Sequence, residues 1–486
     1  MKFSKNILLL TSMLVANAHF VKRDETNTKM NIFKSIIPNP NDYERIVEDA
    51  AKSNRIPMLS AVEVDVVEKD EVDDLINFKN GKYMKSAIED PFHLNVHCYS
   101  SDDCGDYPSR IQEGAFYVAQ VFEFYQPVKV NVTIFPFCRF MKEAGCETIM
   151  GITYPPTFVP LAENKDSEAF LYPQALVKQL DIDSNIEYSD IDFIIYLNSS
   201  YKPTVSQDNR ALIAAHEILH GMGFFHQINP ISVYINNYQN YFNNDFALPP
   251  INCKESDDIV IYDGWTPFSI FDKYIVNTAQ PEDYLYKKLE KYRTHNVNFE
   301  ISTKKPTTKQ YNDFMNTFKE LESDQEASIG GVEVASLFTT LNAVGFHTKD
   351  GKIVELQTFD GTYESASSIS HINVPFPCKN SGTCSVSNAS IDQNYLMYFT
   401  VISKASTNKL IDTFKKYSKY DLIGSDIVKV MCTIGWNEKN GQNNNNGNLY
   451  SFSQESKYNS GANHFTSPSN LMIISSFVFF IIAQFI

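Results

Sequence analysis

Apolar and polar residues alternate through 92–96 and again through 128–135, the period-two pattern of strands with one buried face. Between them, residues 114–125 carry apolar side chains at helical spacing, and a third strand fits 148–154. A fourth fits 191–197, whose nearly unbroken apolar run suits a strand covered on both sides. Asp208 then stands where it can cap a helix whose interior, Arg210-Ala211-Leu212-Ile213-Ala214-Ala215, consists of good or acceptable helix formers. Strand, helix and further strands ahead of one long helix predict an α/β to α+β fold, a sheet with helices packed against it. Farther on, 264–276 reads as a packed segment and 282–324 as a charged, helical one.

The flanks are patterned differently. Residues 19–88 are polar and acidic, with one helical stretch at 42–52 and the dibasic pair Lys22-Arg23. They read either as a removable pro-segment or as an N-terminal extension packed on the main domain. After Trp436 the chain is rich in Asn, Gly, Gln and Ser, with too few apolar residues to fold, so 437–460 reads as a stalk. The globular part is thus 89–436.

The two ends carry address signals. Residues 1–18 begin with Lys2 and Lys5, continue through a short apolar run and finish Ala16-Asn17-Ala18, the order of a secretory leader cleaved after Ala18. The last sixteen residues, 471–486, hold no charge. Ahead of them lie a polar spacer and the small residues Ser460, Gly461 and Ala462, the layout of a glycosylphosphatidylinositol signal with attachment at Ser460 and loss of 461–486. An exported protein held at the outer face of the plasma membrane is expected.

Composition narrows the partners. A hydrophobic content of 43% permits a sizeable core, and 58 acidic against 42 basic residues give a formal charge of −16, which repels phosphate backbones. Nucleic acid is excluded as a partner on that ground. Eight cysteines in an exported chain should be mostly paired, and spacing suggests Cys98 with Cys104, Cys138 with Cys146 and Cys378 with Cys384, leaving Cys253 and Cys432 for a longer loop. Asn131, Asn198 and Asn388 begin Asn-x-Ser/Thr acceptors for glycosylation.

The chemistry is concentrated in His216-Glu217-Ile218-Leu219-His220-Gly221-Met222-Gly223-Phe224-Phe225-His226, a complete HExxHxxGxxH. Residues four apart on a helix lie about 40° from each other around the axis, so His216 and His220 can share one zinc ion. A catalytic zinc needs a third protein donor and an open position for water. Gly223 can end the helix in a positive-φ conformation and turn the chain so that His226 reaches the same ion. Three neutral donors leave the ion its charge, which lowers the pKa of bound water toward about 7, and Glu217 is placed to take the proton. A surface adhesion protein with a purely structural zinc site is the alternative, but such a site has no need of Glu217.

This motif resembles that of the metzincin metallopeptidases. The resemblance implies a zincin catalytic domain with a twisted mixed sheet, a cleft between an upper part (89–226) and an enlarged lower part (227–436), and a methionine-containing turn under the zinc. Met397, in Asn394-Tyr395-Leu396-Met397-Tyr398, is the candidate for that turn, and Tyr398 a candidate to assist the oxyanion. The long separation of the motif from Met397, together with the lipid-anchor signal, looks like the leishmanolysin branch. In that branch a large insert follows the motif glycine, and the third ligand is a histidine after a Ser-rich run. His371 follows Ser367-Ser368-Ile369-Ser370 and fits that layout. His226 and His371 therefore compete for one coordination position, and the one not used becomes a hydrogen-bonded structural histidine. Substrates are expected to be proteins or peptides.

Overall fold

The computed structural model describes the chain from Asp90 to Lys439 apart from internal stretches, the longest being 376–390 and 401–409, together with short strand segments at 17–20, 33–34, 450–451 and 471–474. Beyond those segments, the expected leader, residues 19–88, the stalk, the anchor signal with Ser460, and Asn388 lie outside the described residues.

The first half supplies strands β1 (Phe92–Cys98), β2 (Val128–Phe135), β3 (Gly151–Tyr154), β4 (Thr157–Ala162), β5 (Phe170–Pro173) and β6 (Phe193–Asn198). Four of them form a mixed sheet in the order β1-β2-β6-β3, with β1, β2 and β6 parallel and β3 antiparallel at the edge. The alternation in β2 buries Val128, Val130, Val132 and Ile134, whereas Phe193, Ile194, Ile195 and Leu197 of β6 are all buried, as expected for a strand covered on both faces. β4 and β5 pair separately, antiparallel.

Two helices cover this sheet. α1 (Tyr107–Ala119) begins earlier than its apolar spacing suggested, with Pro108 in the first turn, where a missing amide hydrogen costs nothing. It ends at Ala119 because the next aromatic residues leave helical geometry to join the core: Phe122 and Phe124 pack on Trp436 at ring separations of 6.1 and 5.3 Å. α2 (Gln207–Gly221) carries the histidine motif, and Asp208 lies inside its first turn instead of capping it. α1 lies closely on α2 because Gly114 faces the Ala211 carbonyl, Ala214 and Ala215, and no larger side chain intervenes.

The second half is richer in β-structure than its charge pattern implied. β7 (Ile251–Ser256), β8 (Ile259–Trp265) and β11 (Asn298–Ser302) form one antiparallel run, and β9 (Ile275–Asn277), β10 (Gln280–Tyr284), β12 (Val344–His347) and β13 (Ile353–Glu355) another, in the order β10-β9-β12-β13. The expected packed segment 264–276 is borne out by the buried Phe268, Ile270, Phe271, Ile275 and Val276. The expected helical stretch 282–324 divides instead: it crosses β10, a short helix α3 (Leu285–Leu289) and β11, and becomes a long helix only in α4 (Thr308–Ser323). Pairing across strands overrides the local charge pattern there, with Phe299 of β11 stacked on Tyr262 of β8 at 4.5 Å. α4 opens on a capping box between Thr307 and Gln310. It is followed by α5 (Gln325–Phe338), and α6 (Ser425–Ile434) closes the described core. The architecture is a mixed α/β fold with several small sheets.

Two sequence expectations about modification are corrected. Cys98 and Cys104 are bridged, and Cys138 is disulfide-bonded, but Cys432 is a thiol on α6 beside Lys349, while Cys253 sits in β7 opposite Tyr262. Asn198 is fully buried at the end of β6: its Oδ1 accepts from the amides of Phe137 and Ser200, and its Nδ2 donates to the Ile149 carbonyl. A glycan would have to replace that last bond. Asn131 is half-buried in β2 and accepts from Asn95 across the parallel pair. Peptide mapping should therefore find residue 198 unmodified even in a secreted, glycosylated preparation. Asn198→Ala, which strands the amides of buried Phe137 and half-buried Ser200, should lower unfolding free energy by about 1–3 kcal/mol in denaturant titration.

Candidate metal centre

α2 ends in a Schellman turn. The Gly223 amide donates to His220 O at 2.9 Å and the Phe224 amide to Leu219 O at 3.1 Å, with Gly223 at φ 119°. A side chain at Gly223 would combine that unfavourable φ with contacts of 3.1 Å to Ile434 and Pro173. The turn has a direct effect on the motif, because it brings the Phe224 carbonyl back onto His220 Nδ1 at 2.7 Å.

The same device is repeated twice. His216 Nδ1 lies 2.6 Å from the Leu396 carbonyl, and His371 Nδ1 lies 3.1 Å from the Ser367 carbonyl. A carbonyl oxygen can only accept, so each Nδ1 carries the hydrogen and each Nε2 is left as a lone pair. Those lone pairs converge: Nε2 of His216 is 3.0 Å from Nε2 of His220 and 3.2 Å from Nε2 of His371. No hydrogen is available to join them. Two nitrogens each about 2.0–2.1 Å from one tetrahedral ion lie roughly 3.3 Å apart, so the spacing is that of a metal site. His216, His220 and His371 could accordingly hold a metal ion. Burial favours the neutral, ligating form of each ring, lowering His216 to about 4, His220 to about 3 and His371 well below its usual value.

The competition between the two downstream histidines is decided by geometry. His371 joins the pair on α2, whereas His226 is directed elsewhere, with Nδ1 2.7 Å from Ser370 Oγ and Nε2 2.7 Å from Tyr363 Oη. Tyr363 in turn donates to Asn229 Oδ1 at 3.0 Å, so the ring of His226 donates from Nε2 and accepts at Nδ1. Met397 is fully buried in a 3₁₀ turn, Tyr395–Met397, whose Leu396 carbonyl orients His216. This turn therefore touches the candidate ligand set through its backbone. Tyr398, next in the chain, is buried as well, and burial raises its pKa.

Glu217 points to the edge strand. Its Oε2 accepts from Thr153 Oγ1 at 2.7 Å, and its carboxyl group rests against Gly151, where a Cβ would come within 2.5 Å of Oε1. Burial raises its pKa to about 8, against the lowering effect of the Thr153 hydroxyl. Thr153, Gly151, Ser370 and Tyr363 were not identified from the sequence. A lone Thr or Gly in a strand carries no spacing signal, and only the packing of β3 beside α2 brings Thr153 and Gly151 to the glutamate, whereas Ser370 and Tyr363 meet His226 from a loop distant in sequence. The methyl group in Gly151→Ala should displace the Glu217 carboxylate, visibly in a crystal structure, and should destabilise the fold by about 1–3 kcal/mol in denaturant titration.

Among the described residues, no helix is long and apolar enough to cross a membrane. No solved structure matches the chain. An uncharacterized protein of Schizosaccharomyces pombe is 26% identical over 172 residues, a match that covers 31% of this chain and 30% of the yeast protein. The chain thus spans under a third of the length of this curated relative. The family model described as SPBPB7E8-like matches residues 67–474, which include all three histidines and most of the sequence. The protein belongs to the SPBPB7E8-like family.

Proposed function

We propose that this protein is a zinc-dependent metalloendopeptidase of the metzincin kind, most like the leishmanolysin branch, exported and held at the cell surface by a glycolipid anchor. The observation that carries the reading is the convergence of three Nε2 lone pairs, each fixed by a backbone carbonyl, beside a buried glutamate on the same helix. A site built only to clip two segments together has no use for that carboxylate.

His216, His220 and His371 would hold the ion, and three nitrogen donors leave room for a fourth ligand. Zinc bound there would supply Lewis acidity, polarising a peptide carbonyl and acidifying water. The protein's own contribution is the placement of a proton acceptor. Glu217 is kept in one position by the Thr153 hydroxyl and by the space above Gly151. Its raised pKa gives the carboxylate enough basicity to accept a proton near neutral pH, and the charge of a divalent ion held by the neutral histidines would favour the ionised form. The proton can then pass to the amine that leaves. β3, the antiparallel edge of the sheet, lies beside α2 and offers main-chain groups to an extended peptide.

Purified full-length protein should contain about one zinc per chain and should cleave unfolded protein substrates. Glu217→Ala should keep the zinc and lose activity by about 10²–10⁴-fold. Equal cleavage by the variant would remove Glu217 from the mechanism, and absence of zinc from the wild type would remove the metallopeptidase reading. His371→Ala should lose both metal and activity, whereas extraction of the metal with a chelator should be reversed by added Zn²⁺.

A further inference from the structure

The turn that presents His371 is strained. Ile369 has φ 65°, a region that β-branched residues rarely occupy, and the Ser370 amide closes a tight turn across it to Ser368 O at 2.7 Å. A conformation of this kind persists only where its surroundings enforce it. From one side the enforcement is by backbone: the Ile369 amide donates to Gln357 O at 2.8 Å, the Gln357 amide donates to His371 O at 2.8 Å, and the amides of Ser367 and Ser368 both donate to Glu364 O. From the other side it comes from His226. Its Nδ1 holds Ser370 Oγ at 2.7 Å, and its backbone amide reaches the same oxygen at 3.4 Å.

His226 is itself fixed. It leaves α2 through the Schellman turn at Gly223, and its Nε2 is bonded to Tyr363 Oη, which is bonded to Asn229. Tyr363 also stacks on Phe338 of α5 at 5.8 Å. The helix that carries His216 and His220 is thereby linked through His226 and Ser370 to the residue immediately before His371.

We propose that His226 is a positioning residue: bonded to Ser370, it holds the strained turn in the one arrangement that aims His371 Nε2 at the pair on α2. It takes no place in the coordination sphere. The histidine that completes the motif in sequence acts on the third ligand from behind, and Tyr363 keeps its ring in the tautomer that accepts from Ser370. The part of this inference that concerns metal rests on the metallopeptidase reading, whereas the part that concerns the turn does not.

The test uses the full-length chain as wild type, His226→Ala, Ser370→Ala, the double variant, His226→Asn, which keeps an oxygen acceptor near the place of Nδ1, and His371→Ala. In metal-free protein, amide hydrogen exchange over residues 364–372 should quicken by about tenfold or more in His226→Ala and Ser370→Ala alike. The double variant should add little to either, and His226→Asn should recover much of the protection. With Zn²⁺ in competition with a chromophoric chelator, the same two single variants should lose about 10–100-fold in affinity, and His371→Ala more. The Co²⁺ absorption bands of His226→Asn should keep the wild-type positions, since the donor set is unchanged. Unaltered exchange in both single variants would overturn the proposal. So would a Ser370→Ala protein that binds metal like wild type while His226→Ala matches His371→Ala, because His226 would then be acting as a ligand. A wild type that binds neither Zn²⁺ nor Co²⁺ would count against the metallopeptidase reading alone, and the exchange data would still decide the role of His226.

Discussion

The arrangement rests on the donation of three imidazole Nδ1–H groups to three backbone carbonyls, those of Phe224, Leu396 and Ser367. An imidazole without such a partner can rotate and can exchange tautomers. One with such a partner presents a single lone pair in a single direction, and the direction is set by whatever fixes the carbonyl. Here the three carbonyls belong to a helix-ending turn, to a 3₁₀ turn and to the turn ahead of His371, so three separate pieces of backbone must be correctly built before the nitrogens meet.

The irregular segments around the site are accordingly held by backbone hydrogen bonds of their own. Ser368, Ile369, Ser370 and His371 lie in a loop and are all buried; the amides of Ser368, Ile369 and Ser370 donate to Glu364 O, Gln357 O and Ser368 O, and the Ser370 hydroxyl meets His226. The strain at Ile369 is sustained by that density of bonding. The same logic applies to Glu217, whose buried carboxyl group would be costly if left alone and is instead paired with Thr153 on the edge strand. Burial therefore has opposite effects on the acid and on the bases. It raises Glu217 and lowers the histidines, so the carboxyl group and the imidazoles are all pushed toward their neutral forms.

Much of the upper fold was legible along the chain because its elements are local. The alternation in 128–135 and the apolar run of 191–197 are strands with nearly the expected bounds, and the motif lies on a helix. The lower part was less legible. Its strands owe their existence to partners distant in sequence, as when Phe299 stacks on Tyr262 and converts a charged stretch into a sheet edge. The Asn-x-Ser/Thr pattern at Asn198 shows a related limit: the three letters describe an acceptor, but burial beneath Phe137 and Ile149 makes this asparagine a structural bridge.

By itself the sequence determined the pair His216 and His220, the neighbouring Glu217 and the need for a glycine at 223, because helix period and turn geometry depend on spacing alone. It also narrowed the candidate for a third donor to two histidines. The choice of His371 over His226 was made only by the tertiary structure. Direction of a side chain depends on which carbonyl and hydroxyl groups surround it, and Ser370, Tyr363 and Ser367 reach those two rings only after the long insert has folded back onto α2.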